Sequence, residues 1–175
     1  MGFGVPIVLY PDGWVYSRSA SDVQIAPNEW QRTFQLDEIG GDDAHAYRFQ
    51  PIPSRGAIAV TYAIDPTGVA ISVRTEWLAP GYTQVAILNE QSAAFDDLAT
   101  GNQVTLGNWT PVTGEWARLR SVSLDTEWSL PAISGASLYA GREFSPPNFN
   151  WAGLDYVFDG RFGGADYRIN VEEAQ

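Results

Sequence analysis

The sequence predicts an all-β protein: a single antiparallel domain over residues 1–175, built from about ten strands with one short helix near residues 90–99, and closed either as a β-barrel or as a two-sheet sandwich. Three observations carry this. Turn signals recur about every 8–12 residues, the spacing of short strands joined by tight turns. Between them, apolar and polar residues alternate with a period of two, which sends one face of each segment to a core and the other to water. The composition is that of a turn-rich chain, with 17 Gly, 11 Pro and 13% aromatics. Such a chain disfavours long helices and has large side chains with which to fill a core. A length of 175 residues suits one domain.

From the N-terminus, Pro6–Tyr10 and Trp14–Tyr16 flank Pro11-Asp12-Gly13 and read as a hairpin, since Pro and Gly are favourable turn chemistry. Trp30–Glu38 alternates, with Trp30, Arg32, Phe34 and Leu36 on one face and Gln31, Thr33, Gln35 and Asp37 on the other. Gly40-Gly41-Asp42-Asp43 breaks it, and His45–Ile52 follows with Tyr47 and Phe49 in line. The clearest hairpin is Ala57–Ile64 with Val69–Trp77, closed by Asp65-Pro66-Thr67-Gly68. Ile58, Val60, Tyr62 and Ile64 share one face of its first arm; Val69, Ile71, Val73, Thr75 and Trp77 share one face of the second. Burying three such aliphatic side chains stabilises by on the order of 5–9 kcal/mol before entropy, so this hairpin anchors the core. Pro80-Gly81 turns the chain into a strand over Tyr82–Asn89. Gln91–Ala99 is the helix candidate, with Asn89 as its cap, Gly101 past its end, and Phe95 and Leu98 as its packing residues. Further strands are expected at Gln103–Leu106, Glu115–Leu124, Thr126–Leu130, Ser137–Phe144, Leu154–Phe158 and Tyr167–Val171, the last two as a hairpin across Asp159–Asp166. In its barrel form the outline is calycin- or lipocalin-like, and the aromatic load leans towards that form, which has a roomy interior.

Charge and residue usage exclude several kinds of chemistry. The chain has 21 acidic residues against 10 basic ones, all Arg, for a net charge of −11. Nucleic-acid backbones and anionic membranes both call for clustered cations, so neither is expected as a partner. With no Cys there is no disulfide, thiolate nucleophile or Cys-ligated metal. The lone His45 cannot build a multi-His metal site, and without Lys there is neither a Schiff base nor a P-loop lysine. No apolar run approaches the roughly 18 residues of a membrane span. Met1–Tyr10 lacks a basic n-region, so no signal peptide is expected; a cytoplasmic and a secreted bacterial location both stay open. Neither a Gly-x-Ser-x-Gly nor a Gly-x-Gly-x-x-Gly motif occurs.

The candidate site residues come from aromatic and charged side chains on alternating strands. Tyr62, Trp77, Trp116 and Trp128 would wall an interior pocket, with Glu76 and Arg118 as polar anchors. An inward Arg must be paired or must hold an anion, because a lone buried charge is costly. Against this stands the plainer reading, in which each Trp is core material and the charges form a solvated face. Asp37, Asp42 and Asp43 around Gly40-Gly41 are a candidate calcium site, calcium being a cation held by oxygens on a Gly turn; a solvated acidic turn explains the same residues. No other cofactor is expected.

Two functions follow. The first is a small β-barrel with an aromatic-lined pocket for a hydrophobic small molecule, extending to a cofactor-free cyclase or isomerase that acts by holding one reactive conformer. The second is a secreted carbohydrate-binding or adhesion β-sandwich, in which loop aromatics such as Trp109 and Trp151 stack on sugar rings. Self-association into a homo-oligomer, with aromatics as interface anchors, is a third expectation.

Overall fold

Period-two alternation becomes strand across most of the described residues. The computed structural model describes residues 2–40, 49–91, 95–97, 102–103, 109–112, 114–121, 126–141 and 152–173. The strands are β1 (Gly2–Tyr10), β2 (Gly13–Ala26), β3 (Glu29–Gly40), β4 (Gln50–Pro51), β5 (Gly56–Asp65), β6 (Gly68–Leu78), β7 (Gln84–Gln91), β8 (Phe95–Asp97), β9 (Asn102–Gln103), β10 (Trp109–Pro111), β11 (Trp116–Ser121), β12 (Thr126–Pro131), β13 (Ser137–Gly141), β14 (Ala152–Asp159) and β15 (Ala165–Glu173). They form one antiparallel sheet in the order β10-β13-β14-β7-β1-β2-β3-β5-β6-β15-β12-β11-β8-β9, with β4 beside β3. Four of them are only two or three residues long, and the 11 longer strands close nearly into a barrel.

The short connections force that curvature. Along the sheet, β14 and β15 are seven strand spacings apart, about 34 Å at roughly 4.8 Å each. The chain joins them through residues 160–164, which reach about 21 Å at most when fully extended. A flat sheet is therefore impossible. The β10–β11 and β12–β13 connections lie at the same end as β14–β15, because Trp116 faces Pro131 and Ser137 faces Val157. Each extends its own ladder by one rung there: the Val112 amide donates to the Leu138 carbonyl of β13, and the Ala132 amide to the Glu115 carbonyl beside β11, both at 2.8 Å. This is the crossover end of the barrel. The opposite, turn end carries the β2–β3 and β5–β6 turns and the start of β1.

Inward positions of successive strands fill the interior. Val8, Leu36, Ile58, Val60, Ile71, Val73, Ile87, Leu130 and Leu154 belong to one buried cluster that also contains Trp128, Tyr156 and Tyr167. A smaller cluster of Ile7, Trp14, Ala86 and Val157 lies on the other face of β1, β2, β7 and β14. Ala86 stands directly between Ile7 and Val157 in adjacent strands.

Two expectations are corrected. The short helix near 90–99 is absent from the described residues: β7 runs through Gln91, and Phe95–Asp97 is strand β8. Glu90 pairs with Gly2, Gln91 with Ala152 and Phe95 with Ser121. A nine-residue helix makes few internal hydrogen bonds after its nucleation cost, so ladder partners on both sides outcompete it. Residues 92–94 and 98–101 lie outside the described residues. The expected hairpin between the last two strands is also absent. β14 pairs with β13 and β7, and β15 with β6 and β12. Instead of reversing, the connection crosses the barrel end, anchored by buried Phe162, whose ring meets Phe158 at a centroid distance of 4.8 Å. The Phe162 amide donates to the Tyr82 hydroxyl at 3.3 Å.

β1 and β2 pair only where Val8, Leu9 and Tyr10 meet Val15, Trp14 and Gly13. Beyond that the two strands separate: β1 turns into the interior, and β2 continues along β3 to Ala26.

Candidate functional site

The turn end of the interior is organised by a bulge in β1. Gly2 faces Glu90 and Val5 faces Leu88, so β1 carries one residue too many against β7. A bulge leaves backbone groups outside the ladder, and here they point inward. Gly4 sits at φ +67°, and a Cβ on it would lie 3.1 Å from Ile71 Cγ2 and 3.2 Å from Val60 Cγ1. The bulge thus packs across the interior onto β5 and β6.

Two side chains, Asn89 and Tyr62, satisfy the displaced backbone, and Tyr167 supports Asn89. Asn89 Oδ1 accepts from the Gly4 amide at 3.1 Å and from the Tyr167 hydroxyl at 2.7 Å. Tyr62 donates its hydroxyl to the Phe3 carbonyl at 2.8 Å. Asn89 Nδ2 donates to the Ile87 carbonyl at 3.4 Å, and the Asn89 amide donates to Asp155 Oδ1 at 3.0 Å. Asn89 and Asp155 are both fully buried. Tyr156 meets the Tyr167 ring edge to face at a centroid distance of 4.8 Å and donates its own hydroxyl to the Pro131 carbonyl. Phe3, on the same bulge, packs its ring against Trp128 at 4.9 Å. The result is a hydrogen-bonded polar layer inside an apolar interior, with aromatic rings beside it.

Burial keeps the phenols of this layer neutral. Burial pushes the Tyr62 phenol up to about 12, partly offset by the nearby Arg32 charge. Burial raises Tyr167 well above its ordinary value against the opposing effect of the Asn89 bond, and raises Tyr156 as well. Near neutral pH these phenols therefore hold their protons and give them to protein acceptors. At the rim, Arg32 and Asp22 form a paired contact, with Nε–Oδ1 and Nη2–Oδ2 both at 2.6 Å.

Of the six pocket residues expected from sequence, the structure brings Tyr62 and Trp128 together around Phe3. Trp128 is buried in the core and Tyr62 half-buried. The other four stand apart from this layer. Trp77 and Trp116 are 47% and 49% exposed. Glu76 is exposed on β6, and Arg118 is exposed on β11, where its Nη2 meets Glu127 Oε2 at 2.5 Å. Of the three calcium candidates, Asp42 and Asp43 lie outside the described residues. Asp37 fills a structural role: its Oδ1 accepts the Arg18 and Ser19 amides at 2.7 and 3.3 Å, where β2 bulges against β3. Burial opposes its ionisation, but those bonds together with the Ser19 side chain hold it below the usual carboxylate value. Trp151 is outside the described residues.

Asn89, Tyr167 and Gly4 are the residues that sequence reasoning missed. Asn89 interrupts the apolar run Val85–Leu88 at an inward register position, and a buried polar residue is the more informative kind of exception. Gly4 inside an apolar strand signals a bulge or a close backbone approach.

No protein-family model matches the chain, and no curated protein matches its sequence. Among solved structures, the chain is similar to the Slr1438 protein from Synechocystis sp. PCC 6803, at 9% sequence identity and a TM-score of 0.41, over 97% of this chain and 75% of that one.

Proposed function

We propose that this protein is a ligand-binding β-barrel that takes a hydrophobic small molecule at the turn end of its interior. Asn89, Tyr62 and Tyr167 would form the polar floor, and Phe3 and Trp128 the aromatic wall. The observation that supports this reading is the layer of buried hydrogen-bonding groups within an otherwise apolar interior. Binding sites are mostly apolar, with a few polar groups placed to orient the guest. The neutral phenols suit an uncharged guest that donates a hydrogen bond. The same enclosure would serve a cofactor-free cyclisation or isomerisation, which needs a held conformer rather than a nucleophile.

A second reading, sugar stacking on the outside, is favoured by one observation: the half-exposed rings of Trp77 and Trp116. Tryptophan-emission titration separates the two. An uncharged apolar fluorophore should quench the wild type, and Phe3→Ala should weaken that response, whereas Trp77→Ala and Trp116→Ala should leave it intact. A response to soluble polysaccharide that is lost in Trp77→Ala or Trp116→Ala would favour the outer face. No response to the apolar probe would overturn the interior reading.

A further inference from the structure

The separation of β1 from β2 has a consequence on the outside of the barrel. β2 continues for eleven residues past Val15, to Ala26, and among the described residues only β3 pairs with it there. In an antiparallel ladder, alternate residues point their N–H and C=O groups away from the paired side. Along this stretch those groups face outward from the sheet. Residues 18–25 are all exposed, including Val23 at 57% and Ile25 at 49%.

Proteins guard such edges with Pro, Lys, inward charges or very short strands. From Ser19 to Gln24 this strand pairs with β3 without a shift, as a regular ladder. The segment Ser19-Ala20-Ser21-Asp22-Val23-Gln24 has neither Pro nor Lys, and its one charge, Asp22, is matched within its own chain by Arg32 at 2.6 Å. The bulges lie outside it, next to Ser17 and beyond Gln24.

We propose that this edge pairs with the same edge of a second copy of the chain, antiparallel and centred on Val23, to give a two-fold dimer. The segment is self-complementary in that register. Val23 meets the partner's Val23. Asp22 meets the partner's Gln24, whose amide already donates one N–H to the Pro27 carbonyl at 3.1 Å and has a second to give. Beyond these pairs Ser21 approaches the partner's Ile25, where the bulge of β2 begins and the regular ladder ends. A register centred one residue earlier would set Asp22 against the partner's Asp22, which like-charge repulsion disfavours. An unrelated strand would need its own match to this pattern, whereas a second copy supplies it by symmetry. The net charge of −11 on each chain opposes association at long range, but at physiological ionic strength most of it is screened beyond about 8 Å.

The chain has no cysteine, so a single introduced one reports without ambiguity. Directly opposed residues across an antiparallel pair have Cβ atoms about 4.5–5.5 Å apart, close enough for a disulfide. Val23→Cys should therefore form a disulfide-linked dimer under mild oxidation of the folded protein. Gln31→Cys, one strand further in and facing Val23, should not. Sedimentation of the cysteine-free wild type over a concentration series in physiological salt should show a monomer–dimer equilibrium. Val23→Lys places two ammonium groups at the two-fold axis and should raise the dimer Kd about tenfold or more, with an unchanged circular dichroism spectrum, since Val23 is exposed. A wild type that stays monomeric, equal cross-linking at positions 23 and 31, or a Val23→Lys dimer of unchanged affinity would each overturn the proposal.

Discussion

Single residues in this barrel are constrained by the backbone they must accommodate. Gly68 opens β6 at φ +152°, and a Cβ there would sit 2.0 Å from the Ile169 carbonyl oxygen. That atom belongs to a paired strand and cannot swing aside. Gly68→Ala is expected to cost more than about 3 kcal/mol, read from the shift in denaturant midpoint. Gly4→Ala meets side-chain methyl groups rather than backbone, and should cost about 1–2 kcal/mol, mostly for the left-handed φ. Asn89→Leu keeps the volume but leaves the Gly4 amide and the Tyr167 hydroxyl without an acceptor. About 1–3 kcal/mol for each of the two orphaned groups predicts a loss of about 2–6 kcal/mol. Tyr62 gives a second readout. Its folded pKa of about 12 lies above the ordinary value of 10.0. Stability from keeping it neutral is therefore complete below about pH 10 and is lost as pH rises towards 12. Alkaline unfolding, followed by near-ultraviolet circular dichroism and tyrosinate absorbance, should be less steep in that window for Tyr62→Phe.

Elements show the same division between local and long-range causes. The hairpins β1–β2 and β5–β6 follow their own turn residues: Tyr10 pairs with Gly13 across Pro11-Asp12, and Asp65 pairs with Gly68 across Pro66-Thr67. Nothing outside those segments was needed to read them. The β14–β15 connection is different. Its length and glycines suit a tight turn equally well, and the crossing is stabilised by Phe162 reaching the interior beside Phe158. Phe162→Ala should cost about 3–5 kcal/mol, in the range for emptying a buried aromatic site, even though the residue lies in a loop. Thermal melts of this variant and of Gly163→Ala separate the two views of the loop. Gly163 meets nothing within 4 Å of an added Cβ, so Gly163→Ala should leave the melting temperature nearly unchanged. A Phe162→Ala variant as stable as the wild type would show that the crossing does not depend on this plug. The helix expected near residues 90–99 failed for a related reason. Propensity and capping signals are local, whereas the partners of β7 and β8 come from distant parts of the chain.

At the scale of the whole molecule, exposed ion pairs link acid tolerance to particular contacts between strands. Asp65 is held well below the usual carboxylate range, first by its bond from Arg168 and then by the Thr67 hydroxyl and amide. Its folded pKa lies below the unfolded value of about 4, so its contribution is present above that pH and lost as pH falls through the folded pKa. The gap in melting temperature between wild type and Asp65→Asn should be widest at neutral pH and close in strong acid. A gap of constant size across pH would show that the contribution does not come from ionisation. Asp166, lowered chiefly by Arg74, should behave in the same direction. Measuring differences between variants matters here, because acid also changes the self-repulsion of the whole chain, relieving the net −11 towards the pI of about 4.3 and building positive charge on the ten Arg below it.

By itself the sequence determined the class of structure: strands by period-two alternation, hairpins by their turn residues, and inward faces such as Ile58–Val60 and Ile71–Val73. Those features depend on neighbours within a few residues, where side-chain alternation and turn dihedrals act directly. Of the six pocket residues it named, Trp128 is buried and Tyr62 half-buried, whereas Trp77, Trp116, Glu76 and Arg118 are exposed, since alternation tells which residues share a face but not how far that face is covered. It did not bring Tyr62 and Trp128 to Phe3, nor reveal that Asn89 and Tyr167 complete the layer. The tertiary structure alone decided the strand order, the curl, the crossing of β14 to β15, the departure of β1 from β2, and the exposed edge this leaves. These depend on registers between segments dozens of residues apart, where one extra residue at Phe3–Gly4 redirects a whole strand and the side chains able to satisfy it come from β5 and β7, the latter held by Tyr167 of β15.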